Sequence, residues 1–224
     1  NYLVTPAFYS TSGYETHFSV INPSDTNSIV AKVVIREGKC SDEVRDFLIF
    51  LTPGDKFDAR IVADGFGSRI FTDDDSVRSA FPAAGEPLPN TRFGYVEVFA
   101  LAEYGPGIYT NFVLGEPQSK AELQAAYDTN TPGLANFTDN LFTGTVSLVN
   151  GENNLGMTVP MTAVEIPGLP GNIFNQETAN TRYSTVLGGL ANVNTLMDKL
   201  KKTSIIMPYT ADQDSVLNLA FINK

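Results

Sequence analysis

The sequence predicts an all-β fold, an antiparallel β-sandwich of Ig-like or jelly-roll type with two short amphipathic helices. Three observations predict it. Apolar residues alternate with polar ones in short runs rich in Val, Ile, Phe and Tyr, as strands with one buried face require. Turn chemistry separates the runs, as in Asn22-Pro23-Ser24-Asp25, Thr52-Pro53-Gly54-Asp55 and Tyr104-Gly105-Pro106-Gly107, where Pro fixes φ and Gly, Asn and Asp tolerate left-handed backbone. Helical spacing appears in only two segments. A chain of 224 residues, 42% hydrophobic, is long enough to build its own core as a single domain spanning 1–224.

The elements follow in order. Residues 2–9 (YLVTPAFY) are apolar from Tyr2 onward, and Pro6 removes one ladder donor, which suits an edge or inserted strand. Residues 14–21 place Phe18 and Val20 on one face and His17 on the other. Strands follow at 29–36 (IVAKVVIR), 44–51 (VRDFLIFL), 57–62 and 92–101 (RFGYVEVFAL). Period-two phase assigns Phe18, Val20, Val33, Ile35, Phe47, Ile49, Val96 and Val98 to the core. Later strands are expected at 108–114, 142–149, 157–166, 204–209 and 215–222.

The first helix is expected over 118–128, where Ser119-Lys120-Ala121-Glu122 forms a capping box ahead of good helix formers. The second, over 190–202, sets Leu190, Val193, Met197 and Leu200 on one stripe and ends in cations that suit the helix dipole. Both read as cover for a sheet. The stretches 73–91, 130–140 and 167–185 show no periodicity and are expected to be irregular loops. A pattern of apolar, small, apolar, apolar, Asn recurs at Phe18–Asn22, Val146–Asn150 and Leu219–Asn223. It fits either a duplicated sandwich with a break near 128–140 or the common use of Asn to end strands.

Composition removes most chemistries. Lys and Arg number 15 against 25 Asp and Glu; a net charge of -10 opposes nucleic acid and anionic membrane surfaces. No apolar stretch is long enough to insert in a bilayer as a helix. With one His, one Cys and no Trp, any nucleophilic triad must use His17, and no G-x-S-x-G, H-E-x-x-H or phosphate-loop motif is present. Cys40 sits in a polar turn, cannot form an internal disulfide and has no His partner to activate it. The expectation is a protein that is not an enzyme. Calcium needs oxygen ligands only, so Asp73, Asp74 and Asp75, packed into one loop, form the candidate metal site; no other cofactor is expected.

Pro6-Ala7-Phe8-Tyr9, Ser19-Val20-Ile21-Asn22 and Val33-Val34-Ile35-Arg36-Glu37-Gly38 stand in a fixed order. The series continues in Glu43-Val44-Arg45-Asp46-Phe47, Leu51-Thr52-Pro53 and Gly94-Tyr95-Val96-Glu97-Val98. With these motifs the chain from Leu3 to Leu101 resembles a family of uncharacterised, secreted, β-rich surface proteins of Gram-negative bacteria. The family's openings are of the type PYY…SVVN…VKVRFLEG…EVLDF…LSP. Many members have a Cys where this chain has Val77, so any disulfide they make there is not available here. The resemblance implies export to the cell surface or beyond; it supplies no catalytic residue. A start at Asn1 rather than Met agrees with a removed leader.

Apolar segments at both termini need covering, in their own sheet or in a neighbour's. The leading expectation is therefore a secreted structural protein that self-assembles as a filament or layer subunit. Tyr2, Leu3, Val4 and Phe8 would then make contacts between subunits. The alternative is an adhesin or carbohydrate-binding module, with Tyr104, Tyr109 and Tyr127 as a stacking surface for a glycan.

Overall fold

The computed structural model describes residues 2–5, 7–11, 13–77, 81–105, 119–128 and 142–164. Its strands form two antiparallel sheets of six strands each, packed face to face. The first sheet takes β1 (Tyr2–Val4), β2 (Phe8–Tyr9), β4 (Ser28–Glu37), β5 (Glu43–Leu51), β9 (Phe93–Tyr104) and β12 (Thr162–Val164). Its order is β12-β1-β9-β4-β5, with β2 pairing β9. The second runs β11-β10-β3-β6-β7-β8, from β3 (Tyr14–Ile21), β6 (Lys56–Asp64), β7 (Gly67–Phe71), β8 (Glu86–Leu88), β10 (Thr143–Asn150) and β11 (Leu155–Pro160). The all-β sandwich expected from the alternation is what the chain forms.

The core lies between the sheets. Leu3, Phe8, Ala31, Val33, Ile35, Ile49, Val96 and Val98 face Phe18, Val20, Phe57, Ile61, Ile70 and Val146, all buried. Phe47 packs partly buried at the margin, 5.8 Å from Phe57 and 5.1 Å from Phe81 between ring centres. The helix α1 (Lys120–Asp128) falls where the capping box puts it and packs on β4 and β5, with the Tyr127 ring 6.3 Å from Phe50. The expected strands at 108–114, 204–209 and 215–222, the second helix, the loops at 130–140 and 167–185, and Tyr109 lie outside the described residues.

Three expectations are corrected. The segment 2–9 is two strands, and β1 is no edge: it pairs with β9 on one side and β12 on the other. The segment 157–166 is divided between the sheets, because the chain crosses at Met161, whose N–H donates to the Gly144 carbonyl at 2.8 Å. The stretch 73–91 is not wholly irregular, since β8 adds a short strand with Pro87 in it at the sheet edge. The residues on either side of 128–140 share both sheets, as β10 pairs β3 and β12 pairs β1. Of the recurring strand-end asparagines, Asn22 and Asn150 are both buried and serve turns. Asn22 donates to the carbonyls of Asn27, Leu51 and Thr52 and accepts from Ser24 N–H. Asn150 accepts from Asn153 N–H at 3.2 Å.

The central strands of the first sheet are buried on both faces. On the side away from the sandwich core, Arg36 pairs with Glu97, Lys32 with Asp46, and Tyr2 Oη donates to Glu97 Oε1 at 2.8 Å. Burial, reinforced by the Glu97 charge, raises the Tyr2 hydroxyl well above its ordinary range and pushes Tyr95 up to about 12. Burial alone would lower the Arg36 guanidinium, but Glu97 outweighs it and raises it.

These phenols keep their protons to higher pH in the folded chain than in the unfolded one. Above pH ~10 the unfolded chain therefore binds fewer protons, so stability falls as pH rises. For Tyr95, 2% exposed and shifted from 10.0 to about 12, two units correspond to roughly 2–3 kcal/mol lost by pH ~12. Urea unfolding at neutral pH and near pH ~11.5 should show the fall, and Tyr95→Phe should flatten it. An unchanged slope in the variant would place the alkaline loss on other groups.

Candidate functional site

The sequence-predicted site residues fall in two places. Tyr2, Leu3, Val4 and Phe8 are buried within their own chain's first sheet, at 1%, 1%, 6% and 0% exposure. The three aspartates line a cleft of about 1010 Å³ on the outer face of the second sheet. This cleft is the candidate site.

Strand alternation sets its wall. His17 of β3 and Lys56, Asp58 and Arg60 of β6 project outward because Phe18, Phe57, Ala59 and Ile61 take the core phase. Phe71 at the end of β7 carries the Arg60 guanidinium 4.6 Å over its ring. Gly85 lies against the same ring. With φ at +82° and a Cβ that would fall 2.6 Å from the Phe71 ring, that position takes only glycine. Phe81, Pro82 and Ala83 add apolar lining.

The loop after β7 is tied down by hydrogen bonds within itself and to β5 and β6. Thr72 Oγ1 donates to the Asp58 carbonyl at 2.6 Å, Ser76 N–H to Asp74 Oδ1 at 2.8 Å, and Ser76 Oγ to the Phe50 carbonyl at 3.2 Å. From α1, Lys120 Nζ reaches Asp74 Oδ2 at 2.5 Å and Asp55 Oδ2 at 3.1 Å. Burial works against the Lys120 charge, but the two carboxylates outweigh it and raise its pKa.

The aspartates do not converge as a calcium cage. Asp74 already faces a cation, Lys120, while Asp73 and Asp75 are exposed and form no ion pair among the described residues. The chain's cation at this loop is an ammonium from 46 positions downstream, which the local spacing of carboxylates does not reveal. Three potential ligands do meet elsewhere, at Glu37, Cys40 and Asp42 in the turn after β4. There the Glu37 carboxylate is occupied by backbone. It accepts from Lys39 N–H at 2.7 Å, Cys40 N–H at 2.5 Å and Asp42 N–H at 3.2 Å. Burial alone would raise Glu37, yet these donors hold it below the usual carboxylate range.

Lys56, Asp58 and His17 of the cleft are also paired. Lys56 Nζ lies 2.6 Å from Asp58 Oδ2, and Ser19 Oγ donates to Asp58 Oδ1 at 2.5 Å. His17 Nε2 sits 2.8 Å from Glu15 Oε1, and no hydroxyl or thiol among the described residues hydrogen-bonds to the ring. The Cys40 thiol is exposed, in the turn after β4. Of the expected tyrosine platform, Tyr104 is buried and Tyr127 packs on Phe50.

No protein-family model, curated protein or solved structure matches the chain. No helix among the described residues is long and apolar enough to cross a membrane.

One surface feature was missed from sequence. The ring of Phe66 is 92% exposed at the tip of the β6–β7 hairpin, where Asp64 pairs with Gly67 and only Gly65 and Phe66 connect them. Gly65, at φ +52°, supplies the positive φ such two-residue turns demand. The signal was legible: Asp64-Gly65-Phe66-Gly67 ahead of Ser68-Arg69-Ile70-Phe71 is a hairpin pattern.

Proposed function

We propose that this chain is a secreted, non-enzymatic structural surface protein that self-associates into a filament or layer. The observation that carries the reading is Phe66. The hairpin presenting it is braced, with Arg69 Nε 2.6 Å from Asp64 Oδ2 and the Arg92 guanidinium donating to the Gly65 carbonyl. A rigidly presented, nearly bare aromatic ring gains free energy by burial against another surface, and aromatic anchors of this kind dominate protein contacts. The ion pairs within the cleft, Lys56 with Asp58 and Lys120 with Asp74, support a structural rather than catalytic role. Export rests on the resemblance of residues 3–101 to secreted surface proteins.

Sedimentation velocity over a concentration series, followed by electron microscopy of the intact protein, tests the reading. Concentration-dependent growth to ordered assemblies is expected; a strict monomer at the highest concentration overturns it. The cleft itself favours the second reading, an adhesin or carbohydrate-binding module, through His17, Asp58 and Arg60 beside Phe71. Glycan binding by a monomer would decide for it.

A further inference from the structure

Resting on the self-association just proposed, we infer its contact: the Phe66 hairpin tip of one copy docks head to tail into the cleft of the next. The two surfaces sit at opposite ends of one hairpin. Five positions of β6 separate Arg60, in the cleft wall, from Gly65 at the tip, roughly 17 Å at ~3.3 Å per residue. The tip therefore cannot fill its own chain's cleft. A second copy can.

The two surfaces match in chemistry. The tip offers one apolar ring, Phe66, and beside it the Arg92 guanidinium, bonded to the Gly65 carbonyl and without a carboxylate partner among the described residues. The cleft offers Phe71, Phe81, Pro82 and Ala83 among its lining, with Asp73 and Asp75, which form no ion pair among the described residues. Phe66 thus meets apolar side chains in the cleft, and Arg92 meets Asp73 and Asp75, while the cleft's own Arg60 is held over Phe71. About 1010 Å³ accommodates a two-residue tip with its flanking side chains rather than one ring alone.

The geometry also fixes the kind of assembly. The donor and acceptor patches differ, so the contact is heterologous and leaves a free tip at one end and a free cleft at the other. Such contacts propagate as open filaments unless their rotation closes a ring.

Two substitutions at exposed positions separate donor from acceptor. Phe66→Ser removes the anchor and leaves the cleft intact. Ala83→Arg sets a bulky cation in the cleft, against the incoming Arg92, and leaves the tip intact. Circular dichroism checks that both stay folded. Sedimentation velocity is expected to show each variant alone as a 24.3 kDa monomer, with association weakened at least ~30-fold, as for loss of an interface anchor. An equimolar mixture should form a dimer that grows no further, since one good tip meets one good cleft. If Phe66→Ser assembles like the unaltered chain, or if the mixture stays monomeric, the tip-in-cleft contact is wrong while self-association by another surface stands. If the unaltered chain is itself monomeric at high concentration, self-association falls as well.

Discussion

Deleting residues 1–9 is expected to leave a chain that does not fold. The segment supplies Tyr2, Leu3, Val4 and Phe8, none more than 6% exposed. At 1.5–3 kcal/mol for each fully buried large side chain, their loss removes on the order of 6–12 kcal/mol, an upper figure because unfolded chains already bury some of that surface. A domain's whole stability is about 5–15 kcal/mol. The backbone adds to the loss, since β1 is hydrogen-bonded on both sides, Leu3 standing opposite Val98 of β9 and Ala163 of β12. Without it, those two strands lose their shared neighbour. A thermal melt followed by circular dichroism should show no cooperative transition for the truncated chain. Retention of a sharp transition within a few degrees of the intact protein would mean that β1 is dispensable in its own sheet and free to act in a neighbour's.

How much of this was legible in the sequence depends on how far apart the interacting residues lie. Period-two alternation found β3 at its observed bounds and β4, β5 and β6 to within one or two residues, because one-sided burial writes itself locally. β7 and β8 were missed: β8 is three residues long and contains Pro87, and β7 follows directly on a two-residue turn. Pro6 suggested an edge, yet β1 ends at Val4 and β2 begins at Phe8, so the proline falls between strands and costs the ladder nothing. Charge partners far apart in the chain were not legible. Lys120 meets Asp74 across 46 positions, and Tyr2 meets Glu97 across 95. Nothing in the local spacing of Asp73, Asp74 and Asp75 shows that Lys120 will face Asp74.

That same long-range pairing yields the sharpest stability test. Glu97 is fully buried, pairs with the buried Arg36 guanidinium, and accepts the Tyr2 hydroxyl at 2.8 Å. Glu97→Ala strands a guanidinium in the interior without its counter-charge, which costs about 3–5 kcal/mol. The Tyr2 hydroxyl loses its acceptor at the same stroke, adding about 1–3 kcal/mol if nothing replaces it. Each kcal/mol lowers the Tm of a domain this size by about 2–4 °C, so the pair term alone predicts a drop of about 6–20 °C. The charge, not the volume, is what matters, and a second variant isolates it. Replacing both partners, Arg36→Met with Glu97→Leu, removes the ions together, and buried pairs so replaced usually recover or exceed the original stability. The double variant should therefore melt well above Glu97→Ala. If instead the two melt alike, the cost lies in lost packing at the centre of β9. If Glu97→Ala loses less than about 1 kcal/mol, within the range of exposed ion pairs, then water reaches this face of the sheet in solution and the network is not buried there.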